Sequence, residues 1–194
     1  MREPKIFILS GPSGAGKTTL LDKLFHNKST KNSFLRGISF TTRAKRPQEA
    51  NGKDYFFVNK EELLKLKKRN FFLEHQKVLE NYYGTPKYFY VNAKKEKKDL
   101  ILCIDVKGGM YLKKKHRAGR IITIFVRAPN KKELKRRLKQ RVEQKDSIVK
   151  RVSLAKKELQ FSKYYDYVMV NQDLQTSVKI LEDIFLANEN NTND

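Results

Sequence analysis

The octapeptide Gly11-Pro12-Ser13-Gly14-Ala15-Gly16-Lys17-Thr18 stands between a short apolar run, Ile6 to Leu9, and a segment with helical spacing. Glycines at the ends of such a turn permit backbone conformations that aim successive N–H groups inward, where they cradle phosphate oxygens. A helix opening near Lys17 points its positive end at the same spot. The spacing predicts that Lys17 reaches the β- and γ-phosphates of a nucleotide. The Thr18 hydroxyl then binds Mg²⁺ directly or through water. A strand, a glycine-rich turn and a helix in direct succession restrict the chain to a class in which strands alternate with helices.

The rest of the chain fits that class. Residues 5–10 read as a buried strand that stops at Gly11. Residues 17–27 read as a helix carrying Leu20, Leu21, Leu24 and Phe25 on one face. Leu100–Val106, Ile121–Val126 and Tyr167–Val170 are nearly continuous apolar runs, as expected of strands buried on both faces in a parallel sheet. Helices are predicted over 131–143, 146–163 and 174–187, with an Asn-rich end that should fray. Residues 37–92 differ, with Tyr and Phe clusters, Asn51-Gly52 and Tyr83-Gly84-Thr85-Pro86. They read as an inserted mixed or antiparallel sheet with one helix, Lys60–Arg69. Lys94–Lys98 reads as a solvated helix or loop, and no internal repeat is evident. The expected fold is α/β: a central parallel sheet flanked by helices, with an inserted subdomain and a helical lid.

Composition narrows the setting. The 194 residues suffice for one domain with a full core, and 39% are apolar, so the chain should fold. With 43 Lys and Arg against 21 Asp and Glu, the net charge is +22. Such a field attracts polyanions: nucleotides, nucleic acid or acidic membrane surfaces. The charge is spread along the whole chain, which favours a generally lysine-rich surface over a dedicated nucleic-acid or membrane site. Cys103 is the single cysteine, so no intramolecular disulfide is possible, which fits a reducing compartment. The apolar run at Ile6 is too short for a signal-peptide core and no run approaches a membrane span, so a soluble cytoplasmic protein is expected.

A phosphate loop names no reaction; the following segments do more. They are Ser39-Phe40-Thr41-Thr42-Arg43-Ala44-Lys45-Arg46-Pro47-Gln48-Glu49, Asn51-Gly52-Lys53-Asp54-Tyr55-Phe56-Phe57-Val58, Phe72-Leu73-Glu74 and Asn81-Tyr82-Tyr83-Gly84-Thr85-Pro86. Ile104-Asp105-Val106-Lys107-Gly108 and Tyr165-Asp166-Tyr167-Val168-Met169-Val170-Asn171 come later. In this order they strongly resemble guanylate kinase, from about residue 5 to residue 185. The resemblance implies an ATP:GMP phosphotransferase that yields ADP and GDP, with Mg²⁺ accompanying ATP and dGMP open as a second acceptor. It implies a nucleotide-binding core at 1–36, 93–129 and 156–194, a GMP-binding subdomain at 37–92 and a lid at 130–155, with the two flexible parts closing over the core.

The resemblance also implies roles. ATP belongs on Gly11, Pro12, Ser13, Gly14, Ala15, Gly16, Lys17, Thr18 and Thr19, with Asn171 near the adenine. The GMP phosphate needs paired cationic forks, and Arg43 and Arg46 offer them in bidentate form. Tyr55 and Tyr83 add phenolic O–H donors, and Glu49 orients the two arginines. Guanine presents N1–H and an N2 amino group on one edge, and one carboxylate accepts both. The family's guanine-reading acid falls at Glu74, and Ser39 and Thr85 match positions that contact the base. Asp105 lies in the crevice at a strand's C-terminal end, near Mg²⁺ or the guanine. The family's second acid, two residues earlier, is here Cys103. Arg137, Arg141 and Arg151 are the lid arginines that surround the moving phosphoryl group, so Lys17, Arg43, Arg137, Arg141 and Arg151 form the catalytic set. The stretch after Arg141 looks about one residue shorter than in the family. Two other readings stay open on the sequence: a scaffold-type module that binds a peptide where GMP would sit, and a related kinase acting on another phosphorylated small molecule.

Overall fold

The computed structural model describes residues 2–116, 119–140 and 145–189. In chain order the elements are β1 (Ile6–Ser10), α1 (Lys17–Leu24), α2 (Lys28–Ser33), β2 (Phe34–Gly37), β3 (Phe40–Thr41), β4 (Phe56–Phe57), α3 (Lys60–Lys68), β5 (Phe72–Val78), β6 (Asn81–Pro86), α4 (Tyr88–Lys95), β7 (Asp99–Cys103), α5 (Val106–Lys115), β8 (Ile121–Arg127), α6 (Lys131–Lys139), α7 (Lys145–Leu159), β9 (Tyr167–Val170) and α8 (Leu174–Glu189). The chain divides into two compact units. The first is Met1–Leu9 with Asn32–Thr123; the second is Ser10–Lys31 with Ile124–Asp194.

In the first unit β2, β7 and β1 lie side by side, all parallel, with Ile6 opposite Leu100 and Phe34 opposite Asp99. Ile6, Phe7, Ile8 and Leu9 are at most 1% exposed. A strand buried on both faces reads as an unbroken apolar run, which is why these segments show no alternation. Helix α4 lays Phe89 and Ala93 on this sheet at i,i+4 spacing, and Leu112 of α5 joins the same cluster. A second sheet, ordered β4-β3-β6-β5, fills the unit. It is mixed: β3 runs parallel to β4, while β6 is antiparallel to β3 and β5. The helix of this region, α3, is capped by the Asn59 side chain, which accepts from the Glu62 N–H at 2.8 Å. Acids open it and lysines close it, as the helix dipole favours.

In the second unit β8 pairs in parallel with β9, Ile124 opposite Tyr167. Helix α1 buries Leu20, Leu21 and Leu24 and packs on α8, which contributes Leu181 and Phe185. Leu134 and Leu138 of α6 meet Ala155 of α7 in a smaller cluster with Ile148 and Val152. Asn130 caps α6 by accepting from the Glu133 N–H at 2.9 Å.

Several boundaries depart from the sequence expectation. The first helix ends at Leu24, and α2 and β2 follow it, neither predicted. The strand expected over Leu100–Val106 stops at Cys103, because Asp105 turns the chain into α5 by capping it. Helix α4 opens at Tyr88, inside residues 37–92, where Lys60–Arg69 was the one helix expected, and α7 ends at Leu159, ahead of a 3-10 turn at Ser162–Tyr164. No helix among the described residues is long and apolar enough to cross a membrane.

Candidate active site

The glycine-rich loop lies wholly in the second unit. Gly11 has φ +132°, and a Cβ there would stand 2.0 Å from the Val126 carbonyl oxygen, so only glycine lets the loop pass β8. Gly16, at φ +89°, caps α1 and would drive a Cβ to 2.2 Å from the Asn171 amide nitrogen. Glycine at the cap brings no capping side chain of its own to α1, and a helix N-terminus favours an anion. Lys17 donates from Nζ to the carbonyls of Gly11 at 2.5 Å and Pro12 at 2.9 Å, so its ammonium is held at the loop. Thr18 sits half-buried and Thr19 exposed on the first turn of α1.

Three groups brace the loop from the C-terminal half. The buried Asn171 donates to the Ala15 carbonyl at 2.8 Å. Arg137 donates to the Asn171 carbonyl at 3.0 Å and, through Nε, to Glu133 at 2.7 Å. Arg151 donates to the Ser13 hydroxyl at 3.3 Å. Glu133 also takes two bonds from Arg136, and these arginines hold its carboxyl down at about 2. Sequence reasoning missed Glu133, although its i−4 relation to Arg137 is a readable signal. Arg141 lies outside the described residues.

The first unit gathers the other group. The turn between β3 and β4 places Arg43 and Arg46 on one acid. Arg43 donates to Glu49 Oε1 at 2.7 Å, and the Arg46 backbone N–H reaches Oε2 at 2.9 Å while its guanidinium stands 3.4 Å from Oε1. Burial works against the charges of Arg43 and Glu49, but their pairing outweighs it, leaving Arg43 raised and Glu49 below the ordinary carboxylate range. The Arg43 guanidinium also lies over the rings of Tyr55 at 5.4 Å and Phe57 at 5.7 Å. Tyr83 meets Tyr55 edge-on, with centroids 6.0 Å apart. Burial pushes the Tyr55 phenol up, which keeps it a neutral donor.

Beside this cluster lies a buried polar chain. Ser39 and Thr85 hydroxyls share a 2.9 Å hydrogen bond, and Thr85 donates to Glu74 Oε1 at 2.7 Å. Glu74 is 2% exposed, and its Oε2 has no hydrogen-bond partner among the described residues. Strand β5 creates this placement, because its register with β6 shifts between Phe72 and Glu74 and sets Glu74 opposite Thr85. Burial pushes the Glu74 carboxyl up to about 8, and the charge of nearby Asp105 adds to the push. Asp105 is also raised by burial, although it accepts from the N–H groups of Lys107 at 2.8 Å and Gly108 at 3.1 Å. A buried carboxylate with one satisfied and one orphaned oxygen is costly unless a ligand supplies the missing donors. Cys103 stands partly buried at the end of β7.

Comparison with known proteins gives one consistent answer. The family profile described as guanylate kinase matches residues 3–188. A guanylate kinase of Aster yellows witches'-broom phytoplasma is 43% identical over 170 residues, covering 87% of this chain and 79% of its own. One from Chlamydia caviae is 41% identical over 187 residues, covering 96% and 89%. The crystal structure of guanylate kinase from Anaplasma phagocytophilum is similar with a TM-score of 0.78 at 30% identity, over 96% of this chain and 87% of that one. A match of this extent, in sequence and in fold, shows that the chain belongs to the guanylate kinase family, the enzymes that pass a phosphoryl group from ATP to GMP.

Proposed function

We propose that the ATP:GMP phosphotransfer is carried by the residues just described, with the acceptor bound in the first unit and the donor phosphates on the glycine-rich loop of the second. The orphaned Oε2 of the buried Glu74 is the observation that carries this reading. Guanine offers two adjacent N–H donors to one carboxylate, whereas adenine turns an acceptor at N1 toward it. Ser39 and Thr85 hold the carboxylate in register and contact the base. Arg43 and Arg46, tied together by Glu49, take the GMP phosphate with Tyr55 and Tyr83. Residues 37–92 then form the acceptor-binding subdomain, 130–155 the lid, and the remainder the nucleotide-binding core.

On the donor side, Gly11 to Thr19 bind the ATP phosphates, and Asn171 supports the loop at Ala15 on the side assigned to the adenine. Lys17, Arg43, Arg137, Arg141 and Arg151 neutralise charge that develops on the transferred group. Phosphoryl transfer asks little covalent chemistry of the protein, so positioning and charge carry it, and no general base is needed. The residues fit Mg²⁺ borne by ATP. The Thr18 hydroxyl is a hard oxygen donor, and among the described residues no group of three or more His, Cys, Asp or Glu could hold a metal. Thr18 and phosphate oxygens would hold the ion, which supplies charge neutralisation at the γ-phosphate. With sulfur at Cys103 where the family has an acid, that position would add no carboxylate ligand to the ion. A cytoplasmic location suits the single cysteine and the substrates.

A coupled ADP-release assay with GMP, dGMP, AMP, CMP and UMP tests the reading. Turnover should be far higher with GMP than with AMP or the pyrimidines; equal turnover with AMP overturns it.

Two further outcomes follow from the first unit. Arg43→Lys keeps the charge but loses the planar fork shared by Glu49 and phosphate, so the Michaelis constant for GMP rises about tenfold, as steady-state kinetics would read. The second concerns pH. Glu74 keeps its proton in the folded protein up to about pH 8, whereas the unfolded chain releases it near 4.5. Between those values the folded state binds the extra proton, so this group's contribution to stability falls as pH rises through the window. Guanine binding requires the carboxylate, so GMP binding below about pH 8 expels a proton. The Michaelis constant for GMP should fall up to about tenfold per pH unit from pH 6.5 and level off near pH 8. Glu74→Gln should abolish the slope.

A further inference from the structure

Gly108 belongs to α5, is buried, and does not have a positive φ, so its backbone does not require glycine. Glycine is the least favoured residue after proline inside a helix, so something else must account for it there. A Cβ built at position 108 would stand 2.7 Å from Glu74 Oε2, 3.3 Å from Glu74 Cδ and 3.4 Å from Ile104 Cδ1. The nearest obstacle is thus the oxygen of Glu74 that lacks a partner among the described residues. Any side chain here would press on that oxygen, and the end of a flexible side chain yields more readily than a helix backbone.

We propose that Gly108 is a specificity-determining positioning residue for guanine: the absence of a side chain there leaves the space that lets Glu74 Oε2 stay where it accepts from the base. The inference rests on the reading of Glu74 as guanine's partner. Glu74 cannot simply slide away from a larger neighbour, because Oε1 is tethered to Thr85 at 2.7 Å and Thr85 to Ser39 at 2.9 Å. A methyl group at 108 therefore forces a choice between breaking that chain and turning Oε2 aside. Either way the two N–H groups of guanine lose an aligned acceptor, while the phosphate contacts at Arg43 and Arg46, on a different loop, stay intact.

Gly108→Ala tests this. A misplacement of several tenths of an ångström at an aligned acceptor should raise the Michaelis constant for GMP about 10- to 100-fold. The GMP-over-AMP ratio of kcat/KM should fall by a similar factor. The Michaelis constant for ATP should be unchanged and the variant should stay folded, since alanine suits a helix. A second variant separates positioning from general damage. Glu74→Asp withdraws the carboxylate by one methylene, so adding Gly108→Ala in that background should cost little further. Wild-type selectivity in Gly108→Ala overturns the inference, as does an equally large loss in the Glu74→Asp background or failure of the variant to fold. If Glu74→Leu also leaves selectivity intact, the reading of Glu74 falls as well; if Glu74→Leu removes selectivity and Gly108→Ala does not, only the role of Gly108 falls.

Discussion

Lys17→Ala lowers kcat for GMP phosphorylation by about 10³-fold or more, while the protein stays folded. The ammonium is already fixed, with Nζ on the carbonyls of Gly11 and Pro12. A donor held in advance needs no reorganisation when negative charge shifts across the phosphoryl oxygens, and that is where preorganised groups act most strongly. Removing the side chain deletes the ammonium proposed to act on the transferred phosphate without touching the N–H groups of the loop or α1, so ATP should still bind, though less tightly. Lys17→Arg should not restore the rate, because a planar fork cannot occupy the place of a compact point charge between two carbonyls. Single-turnover kinetics beside a melting curve would check both halves. A kcat within tenfold of wild type would remove Lys17 from the catalytic set.

Glu74→Leu produces the second large effect, on binding of GMP. The Michaelis constant for GMP should rise about 10²- to 10³-fold, the loss expected when two hydrogen bonds to one charged acceptor disappear and the base's donors are buried unpaired. Stability should move the other way. The carboxyl is 2% exposed, has one oxygen without a partner among the described residues and is pushed up to about 8 by burial and Asp105. A leucine of similar size relieves that cost, so the melting temperature should hold or rise above pH 8, where the native carboxyl must ionise. A site that weakens the fold in order to read a ligand is a common exchange between stability and function. Differential scanning calorimetry alongside kinetics separates the two effects.

Much of the framework was legible because it is written in local patterns. Gly11 to Thr18, the apolar runs of β1, β8 and β9, and the Leu134/Leu138 stripe each carry their meaning within a few residues. The elements that escaped notice lack such a pattern. Residues 28–37 hold few apolar side chains, so α2 and β2 left no periodic trace. Helix α5 is disguised by Gly108 and Gly109, which lower helix propensity, and its cap, Asp105, reads equally well as the end of a strand. In the site, the residue types at Arg43, Arg46, Glu74 and Tyr83 were readable through family resemblance, but their mutual arrangement was not. The bond from Asn171 to Ala15 joins residues 156 apart, and the approach of Gly108 to Glu74 arises from a helix packing on a bulged strand. Spacing carries no information about such contacts. The orphaned oxygen of Glu74 is likewise a property of packing.

Selection of guanine by this oxygen is decided by the ratio of kcat/KM for GMP to that for AMP, determined in parallel for the wild-type chain and Glu74→Leu with ATP as donor. The wild-type ratio should be large, about 10⁴, and should collapse toward unity in the variant, mostly through the GMP arm. An unchanged ratio would remove Glu74 from base selection and move that choice to other residues.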